Sequence, residues 1–393
     1  MKEAILTINA GSSSIKFALF HRANPLLAEA EVHGQIDGIG TSVTRLEARD
    51  RAGQRLAHHA IPGEGVNHEQ ALDALLKWLL SSQSGWRITA AGHRVVHGGD
   101  LYSAPIVIDD IVLGHLESLC SLAPLHQPHN IAGIAALRRL LPQAPQVACF
   151  DTAFHRSQPE IAQLFGLPRE LTAEGFRRYG FHGISYEYIA RVLPQHSHRA
   201  NGRVIVAHLG NGASMTAMID RKCVATTLGF STIDGLLMGT RCGALDPGLV
   251  LHLMASKNLS VDDMSRILYK ESGLLGVSGV SQDMRTLLAS DKPEAAEAIE
   301  LFCYRIVREL GSLAAAIGGL DAVVFTGGIG ERAAPVRRRV CEQSAWLGIE
   351  CDEAANNRND IIISTAGSGV DALVIPTNEE WMMACHAQSL LDR

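Results

Sequence analysis

The stretch RVIVAHLGNGASMTAMI, residues 203–219, consists of two apolar runs separated by a glycine-rich turn. β-branched residues fill the first run and the apolar pattern resumes after the turn, so this stretch predicts a strand, a tight turn and a second strand. Gly210 and Gly212 lack a Cβ that would obstruct backbone amides pointing into the bend, and Asn211 and Ser214 add short polar side chains. A turn with this composition can hold an anion.

A second copy of this arrangement stands at the N-terminus, in AILTINAGSSSIKFALF, residues 4–20. An apolar strand leads into a turn with Asn9, Gly11 and three serines, and Lys16 lies within the following apolar run. Two copies indicate a duplicated architecture. Each copy taken alone could be a plain hairpin, but Lys16 in one and His208 in the other favour two hairpins that face phosphate. The pattern differs from a Walker A loop, since GxxxxGK[ST] does not occur.

Length and composition limit the possible classes of protein. A chain of 393 residues is long enough for two domains with separate cores, and a cleft between them is expected. The hydrophobic content of 47%, the charged content of 19% and the net charge of −6 indicate a globular protein without general attraction to nucleic acid or anionic membranes. Neither a membrane-length apolar run nor a signal peptide is apparent, which predicts a cytoplasmic location. Eight cysteines without a CxxC pair argue against a zinc site or a disulfide framework.

The first third of the chain predicts mostly strands. Residues 31–56 have the pattern of further antiparallel strands, and residues 70–80 carry leucines at the spacing of one buried helical face. Residues 88–96 predict a strand whose end carries the start of the motif HRVVHGG, residues 93–99. Arg94 lies inside this apolar strand and therefore needs an anionic partner, in either a structural salt bridge or a site.

Two further segments carry polar residues next to predicted elements. LAPLHQPHN, residues 122–130, predicts a proline-broken loop before a helix over 131–140, and we interpret His126 and His129 as packing in that loop. VACFDTAFH, residues 147–155, predicts a strand that ends at Asp151. A carboxylate at a strand end is a common catalytic position, although a helix cap fits the same pattern.

The middle of the chain carries a histidine and an arginine among glycines. RRYGFHGISYEYI, residues 177–189, places Phe181 and His182 between two glycines and then begins a helix, although a core histidine would fit too. Residues 229–248 hold several glycines and predict a shaped loop whose cation is Arg241. Loops of this length and composition usually bind a ligand.

The last third predicts alternating helices and strands. Residues 298–320 form a helical pattern, DAVVFT predicts a buried strand, and GGIGE, residues 327–331, predicts a turn into a helix over 335–347. A turn of this kind can lie against a nucleotide. After a strand over 373–375, Asn378 predicts the cap of a helix whose first turn holds Glu379 and Glu380, which could also simply complement the helix dipole.

Taken in order, the motifs of this chain closely resemble the acetokinase family over nearly its whole length. They are INAGSSSIKF, HRVVHGG, FDTAFH, RRYGFHG, HLGNGAS, MGTR, FTGGIGE and IPTNEE. The resemblance implies an α/β protein with a two-lobed duplicated fold of mixed β-sheets flanked by helices, as in actin-like ATPases and ribonuclease H-like proteins. It further implies an N-terminal lobe of residues 1–150 plus 380–393 and a C-terminal nucleotide-binding lobe of residues 151–379.

The resemblance also implies roles for individual residues. Asn9 and Glu379 would bind Mg²⁺ or Mn²⁺. The acyl substrate would be met by Arg94, Val96, Leu125 and Phe181. The catalytic residues would be Asp151, His182 and Arg241. ATP phosphates would be met by Lys16, His208, Leu209, Gly210, Asn211 and Gly212, and the nucleoside by Asp283, Met284, Arg285, Gly327, Gly328, Ile329, Gly330 and Glu331.

The activity that the resemblance implies is reversible, magnesium-dependent transfer of the γ-phosphoryl group of ATP to acetate, giving acetyl phosphate and ADP by in-line displacement. Such transfer brings two anions together, so cations must offset their repulsion. A carboxylate acceptor is already ionised at neutral pH, and Asp151 is therefore expected to orient groups or to partner a metal-bound water, and not to accept a proton. A homodimer without nucleic-acid or membrane partners is also implied.

Alternatives remain at this point. A propionate or butyrate kinase of the same family would differ from an acetate-specific enzyme only in the size of the acyl pocket. An actin-like ATPase would need a polymerisation surface. A sugar kinase would need a polar acceptor pocket. The sequence departs from the family pattern at Thr232, where proline is common, at Ile184 and Tyr186, where threonine and histidine are usual, and at Ala244, where an acid is common. The change at Thr232 bears on which acyl chain is accepted.

Overall fold

A computed structural model describes residues 1–82 and 85–392 of the chain, which divides into two units. The first unit consists of Met1–Phe154 and Asn378–Arg393, and the second of His155–Thr377. The lobe boundaries expected from the sequence lie a few residues away, at 150 and 380. Residues 83, 84 and 393 of the expected N-terminal lobe lie outside the described residues.

The first unit is built on one mixed β-sheet. In the described part of the chain, its strands in chain order are β1 (Lys2–Ala10), β2 (Ser14–His21), β3 (Val32–Asp37), β4 (Thr44–Asp50), β5 (Arg55–Ile61), β6 (Trp86–Val95), β7 (Ile106–Val107) and β8 (Gln146–Phe150). They are ordered β5-β4-β3-β2-β1-β6-β8-β7 across the sheet. β1 pairs antiparallel with β2 and parallel with β6, which pairs parallel with β8. The predicted N-terminal hairpin is therefore confirmed.

The second unit repeats the centre of this sheet. Its strands are β9 (Val204–Leu209), β10 (Ala213–Ile219), β11 (Lys222–Thr226), β12 (Ala322–Thr326) and β13 (Asp371–Val374), ordered β11-β10-β9-β12-β13. β9 pairs antiparallel with β10 and parallel with β12, which pairs parallel with β13. The order and directions match β3-β2-β1-β6-β8, so the strand pairing confirms the duplication predicted from the two hairpins.

Helices flank both sheets. In the first unit they are α1 (His68–Ser82), α2 (Asp110–Ser118), α3 (Gln127–Leu140) and α15 (Glu379–Leu391). Those of the second unit are α4 (Glu160–Gln163), α5 (Arg169–Ala173), α6 (Gly183–Val192), α7 (Pro247–Lys257), α8 (Val261–Lys270), α9 (Gly273–Ser278), α10 (Met284–Leu288), α11 (Pro293–Ala316), α12 (Gly327–Arg332), α13 (Ala334–Gln343) and α14 (Glu353–Arg358). None of the helices among the described residues combines the length and apolar character needed to cross a bilayer.

Apolar faces of helix and sheet form the core of the first unit. Four leucines of α1 are buried at the predicted spacing, namely Leu72, Leu75, Leu76 and Leu79. They belong to one cluster with Phe17 of β2 and Leu46 of β4. Burying a leucine or phenylalanine side chain contributes about 1.5–3 kcal/mol, so this cluster fixes the face that the sheet turns towards α1.

Several predicted boundaries are wrong, including those of the helix predicted over 298–320, which spans Pro293–Ala316. Helix α3 begins at Gln127, four residues before the predicted start, because Pro128 occupies the first turn, where its missing N–H costs nothing. The GGIGE segment is not a bare turn, since it forms the short helix α12, and the helix after it ends at Gln343. The GGIGE segment holds candidate site residues, so its folding as a helix alters where their side chains point.

Candidate functional site

A buried ion pair joins the ends of two parallel strands in the first unit. Arg94 lies near the end of β6 and Asp151 directly follows β8, where its backbone N–H donates to Val95 O at 3.0 Å. Nη2 of Arg94 donates to Asp151 Oδ2 at 2.5 Å, and Nε lies 3.1 Å from Oδ1. The Asp151 side chain is only 2% exposed. The prediction that Arg94 needs an anionic partner is thus confirmed, and Asp151 is that partner.

Other predicted residues of the first unit converge on this pair. Nη1 of Arg94 donates to Asn9 Oδ1 at 3.3 Å, and Asn9 lies opposite Lys16 in the β1–β2 hairpin. Burial disfavours the charged form of Arg94, but attraction to Asp151, with a smaller contribution from Glu379, still raises the arginine pKa above its usual value. Asn9, Lys16, Arg94, Asp151 and Glu379 therefore form one polar cluster.

Glu379 enters this cluster from the first turn of α15. Asn378 caps the helix as predicted, accepting the N–H of Trp381 at 3.0 Å. Burial raises the pKa of Glu379 to about 7, while Arg94 opposes the rise and Asp151 adds to it. A carboxylate whose charge is this poorly compensated is stabilised by an added cation.

The donor set here fits a hard divalent cation. Asn9 and Glu379 offer an amide oxygen and a carboxylate, which are ligands that Mg²⁺ accepts together with water and phosphate oxygens. Among the described residues, no group of three or more histidine, cysteine or acidic side chains could hold a metal alone. The residues present thus suit an ion shared with a substrate and not a closed protein cage.

Two residues that the sequence reasoning missed hold the strand ends in place. Asn130 Oδ1 accepts the N–H of Val96 at 3.0 Å, and its Nδ2 donates to Ala10 O at 2.7 Å. Gln127 accepts the N–H of His97 at 3.2 Å and donates to the carbonyl of the same residue at 3.1 Å. Both side chains are buried. Their spacing of three residues would have placed them on one helical face, had the start of α3 been recognised.

The candidate acyl-binding residues occupy different environments. Val96 follows β6 and is buried, whereas Leu125 lies before α3 and is 41% exposed. Phe181 belongs to the second unit and is buried there, and its carbonyl accepts a hydrogen bond from Nε2 of the buried His155 at 2.9 Å. Within the first unit, Val96 thus lies two residues from Arg94, while Leu125 stands on a surface turn.

His182 occupies a special backbone position in the second unit. It precedes α6 with a φ of 60°, in the left-handed region, which histidine visits more readily than most residues. Nδ1 of His182 lies 2.8 Å from Ser214 Oγ, and Tyr186 Oη lies 2.5 Å from the same oxygen. The His182 ring is half-buried and belongs to a hydrogen-bonded chain with Ser214 and Tyr186.

His208 stacks against His182. The ring centroids are 4.5 Å apart and the planes differ by 23°. Nδ1 of His208 lies 2.9 Å from Ser185 Oγ, which in turn lies 2.9 Å from Thr377 Oγ1. The two histidines are therefore held side by side through separate hydroxyl groups.

Arg241 approaches the turn of the central hairpin. Its Nη1 donates to Thr232 O at 2.5 Å, within the shaped loop. A Cβ placed on Gly212 would lie 3.2 Å from Nη2 of Arg241 and 3.4 Å from Nε2 of His182. The glycine thus leaves room for a cation and an imidazole to meet beside the turn.

The glycine amides of this turn are used differently from the expectation. The N–H of Gly210 donates to Gly212 O at 3.0 Å and closes the hairpin, so it does not point into the bend. The carbonyl of Asn211 accepts the N–H of Gly239 at 3.0 Å, which ties the Arg241 loop to the turn. Leu209, the last residue of β9, is buried.

The carboxylate of Glu331 holds the GGIGE segment in place through hydrogen bonds to backbone N–H groups. Gly327 has a φ of 75°, and a Cβ there would lie 2.8 Å from Leu209 O. One carboxylate oxygen of Glu331 accepts the N–H groups of Gly327 at 3.0 Å and of Thr377 at 3.1 Å. Glu331 therefore connects the backbone at Gly327 with the backbone at Thr377. Gly328 and Ile329 lie on the first turn of α12, between these fastened points.

A buried arginine supports the same helix from behind. Arg337 of α13 is fully buried and donates from Nη1 to Gly330 O at 2.8 Å. Its remaining donors reach Asn356 Oδ1 and Asn356 O, each at 2.8 Å, and Asn359 Oδ1 at 2.7 Å. Burial lowers the pKa of Arg337. The sequence reasoning did not single out this residue, because its arginine-rich helix is typical of a solvated surface.

The other candidate nucleoside residues form a helix start. Asp283 caps α10 by accepting the N–H of Arg285 at 2.8 Å, and the Arg285 side chain returns a hydrogen bond from Nη2 at 2.5 Å. These bonds lower the pKa of Asp283 to about 2. Arg285 is exposed beside a surface depression, whereas Met284 is buried in the core. Asp283 and Arg285 thus pair with each other at the surface, and Met284 is buried.

Comparison with known proteins identifies the family of this chain. The sequence model of the acetokinase family matches residues 4–385. An acetate kinase of Rhodopseudomonas palustris (strain ATCC BAA-98 / CGA009) is 52% identical, and the match covers 100% of this chain and 99% of that protein. The crystal structure of Porphyromonas gingivalis acetate kinase has a TM-score of 0.89 at 35% identity, covering 99% of this chain and 100% of that one. A propionate kinase from Francisella tularensis subsp. tularensis SCHU S4 has a TM-score of 0.91 at 36% identity, covering 98% and 99%.

Proposed function

This chain belongs to the acetokinase family, and on that premise we propose that it is an acetate kinase. The reaction is reversible transfer of the γ-phosphoryl group of ATP to a carboxylate oxygen of acetate, which gives acetyl phosphate and ADP. The observation that carries the proposal is that His182 Nε2 and Arg241 Nη2 both border Gly212, at 3.4 and 3.2 Å from the position that a Cβ on this glycine would take. Two nitrogen donors at one point suit the oxygens of a phosphoryl group in transfer.

The first unit supplies the acyl side of the proposed reaction. Arg94 is held by Asp151 through Nε and Nη2, so Nη1, beside Asn9, is the edge most open to a substrate carboxylate. Acetate is ionised at neutral pH and attacks without loss of a proton. Asp151 therefore acts by orienting Arg94, in keeping with its burial and its bidentate contact.

Magnesium is part of the proposal. Asn9 and Glu379 would hold Mg²⁺, or Mn²⁺ in its place, through an amide oxygen and a carboxylate oxygen. The bound ion would supply positive charge that offsets repulsion between the nucleotide phosphates and the carboxylate. ATP phosphates would be met by Lys16, and by His208 and the Gly210–Gly212 turn of the second unit, while the 327–331 segment and Asp283 with Arg285 would hold the nucleoside.

Acetate is proposed as the preferred acyl substrate over propionate. The relative at 52% identity is named acetate kinase, whereas the named propionate kinase is 36% identical. Thr232 stands where the family often has proline, and its carbonyl accepts a hydrogen bond from Arg241. Both residues supply a carbonyl at that point, so the substitution preserves this anchor. We also propose a cytoplasmic homodimer, on the basis of the family resemblance.

An acyl hydroxamate assay tests the proposal directly. Purified protein with ATP, MgCl₂ and acetate should form acetyl phosphate, which hydroxylamine traps, and the Arg241→Ala variant should form very little. Propionate and butyrate at matched concentrations should give lower kcat/KM values. Absence of trapped product with all three acids would refute the assignment, and a higher kcat/KM for propionate would move it to propionate kinase.

A further inference from the structure

A chain of hydroxyl groups leads from the core of the second unit to the His182 ring. Tyr186 and Ser214 are both fully buried. Tyr186 Oη lies 2.5 Å from Ser214 Oγ, and Ser214 Oγ lies 2.8 Å from Nδ1 of His182. Tyr186 lies on the first turn of α6, four residues after His182, and Ser214 lies on β10. One helix and one strand thus fix the three side chains.

The chemistry of these groups sets the direction of the hydrogen bonds. A phenol is a far stronger acid than an aliphatic alcohol, which favours Tyr186 as the donor to the Ser214 oxygen. Ser214 is then free to direct its own single proton at Nδ1 of His182. A neutral imidazole that accepts at Nδ1 carries its proton on Nε2. Nε2 is the atom that lies beside Arg241 around Gly212.

We propose that Tyr186 and Ser214 are positioning residues that fix His182 in the tautomer whose Nε2–H is directed, together with Arg241, at the transferred phosphoryl group. This inference rests on the function proposed above. In the other tautomer, Nε2 would present a lone pair to phosphoryl oxygens and repel them. Tyr186 stands at one of the positions where this sequence departs from the acetokinase pattern, which usually has histidine there.

The first test is a double-mutant cycle on kcat. Tyr186→Phe should lower kcat by about tenfold and Ser214→Ala by about 30-fold, with KM values for ATP and acetate changed less than twofold. Because Tyr186 acts through Ser214, the double variant should be no slower than Ser214→Ala. Multiplicative losses near 300-fold, or losses confined to KM, would overturn the relay.

A matched control exists in the first unit. Tyr102 is a buried phenol whose Oη lies 2.8 Å from Nδ1 of His115, in a contact of the same chemical kind outside the proposed site. Tyr102→Phe should leave kcat within twofold of the wild type. An equal loss of kcat in this control would show that removing any buried phenol has the same effect, and the inference would fail.

The second test reads the tautomer without any catalysis. In protein labelled with ¹⁵N at histidine, long-range correlation spectra distinguish the two tautomers of each ring, and the His182→Asn variant identifies the signals of His182. The wild type should show the Nε2–H form, and Tyr186→Phe should show a mixture of both forms. An Nδ1–H form in the wild type would overturn the inference, whether or not the protein makes acetyl phosphate.

Discussion

The Arg337 guanidinium donates to the carbonyl oxygen of Gly330 at 2.8 Å from a position that solvent does not reach. It satisfies four oxygens at once, all of them neutral, so its charge is dispersed over dipoles and not matched by a carboxylate. Because Gly330 belongs to the segment proposed to hold the nucleoside, we expect changes at Arg337 to affect both protein stability and nucleotide binding.

Replacing Arg337 with methionine should therefore damage both properties. The substitution strands several buried acceptors, and we expect a loss of about 3 kcal/mol in the free energy of unfolding together with a higher KM for ATP. Urea denaturation and initial-rate kinetics measure the two effects. Arg358→Met, which removes an exposed arginine paired with Asp360, is the control and should change neither. A normal KM for ATP in Arg337→Met would show that α12 does not depend on this anchor.

Asp151→Asn should weaken the use of acetate far more than the use of ATP. The amide keeps the shape of the side chain but removes the charge that holds Arg94. We expect kcat/KM for acetate to fall by about 10² or more, since a buried cation left without its partner costs about 3–5 kcal/mol. Saturation curves for each substrate separate the effects. An equal fall for both substrates would contradict a role limited to orienting Arg94.

Arg241→Ala should act on kcat. Arg241 is expected to meet phosphoryl oxygens as charge spreads in the transition state, so its removal should lower kcat by about 10³ with little change in either KM. Arg241→Lys should rescue poorly, because a point charge cannot span two oxygens as a planar guanidinium does. A raised KM for acetate with a nearly intact kcat would reverse the roles assigned to Arg94 and Arg241.

Glu379→Gln should raise the magnesium requirement. The amide keeps a neutral oxygen ligand but loses the charge, so the concentration of Mg²⁺ at half-maximal rate should rise by about tenfold, equivalent to 1.4 kcal/mol. The KM for acetate should stay within twofold. Glu380→Gln, on the same helical turn, should show wild-type magnesium dependence. If both variants behave alike, Glu379 serves only as a favourable charge at the helix N-terminus.

The pH dependence of stability should report on His93. His93 Nε2 lies 2.8 Å from Gln146 Oε1, and burial lowers the pKa of His93 from 6.5 to about 4. The unfolded chain therefore binds the extra proton between these two values, so the histidine contributes stability above pH 6.5 that is lost as the pH falls towards 4. The contribution is about 3 kcal/mol.

In His93→Gln, the free energy of unfolding from urea denaturation should fall less steeply between pH 7 and pH 4.5 than in the wild type. His59→Gln, at an exposed position, should show the same pH dependence of the free energy of unfolding as the wild type. An unchanged slope in His93→Gln would mean that other groups cause the loss of stability in acid.

The sequence predicted features that follow from local pattern. Both hairpins, the strand that ends at Asp151 and the cap at Asn378 depend on periodicity and turn chemistry within about ten residues, and each is confirmed. The Gln127 and Asn130 contacts were missed because they depend on the start of α3. The Tyr186–Ser214 contact joins residues 28 positions apart. Such pairings arise from tertiary packing, which a single sequence does not display.

The last helix completes the polar cluster formed by the first strands. Glu379 begins α15, whereas Asn9 lies near the end of β1. The backbone of Met383 on α15 lies close to Gly92 of β6, since a Cβ added to Gly92 would be 3.0 Å from the Met383 carbonyl oxygen. During synthesis the first strands of this sheet emerge well before α15, the helix that packs against them. A product cut short before residue 379 would lack the carboxylate of the proposed metal site, so prematurely terminated chains would not yield a partly active kinase.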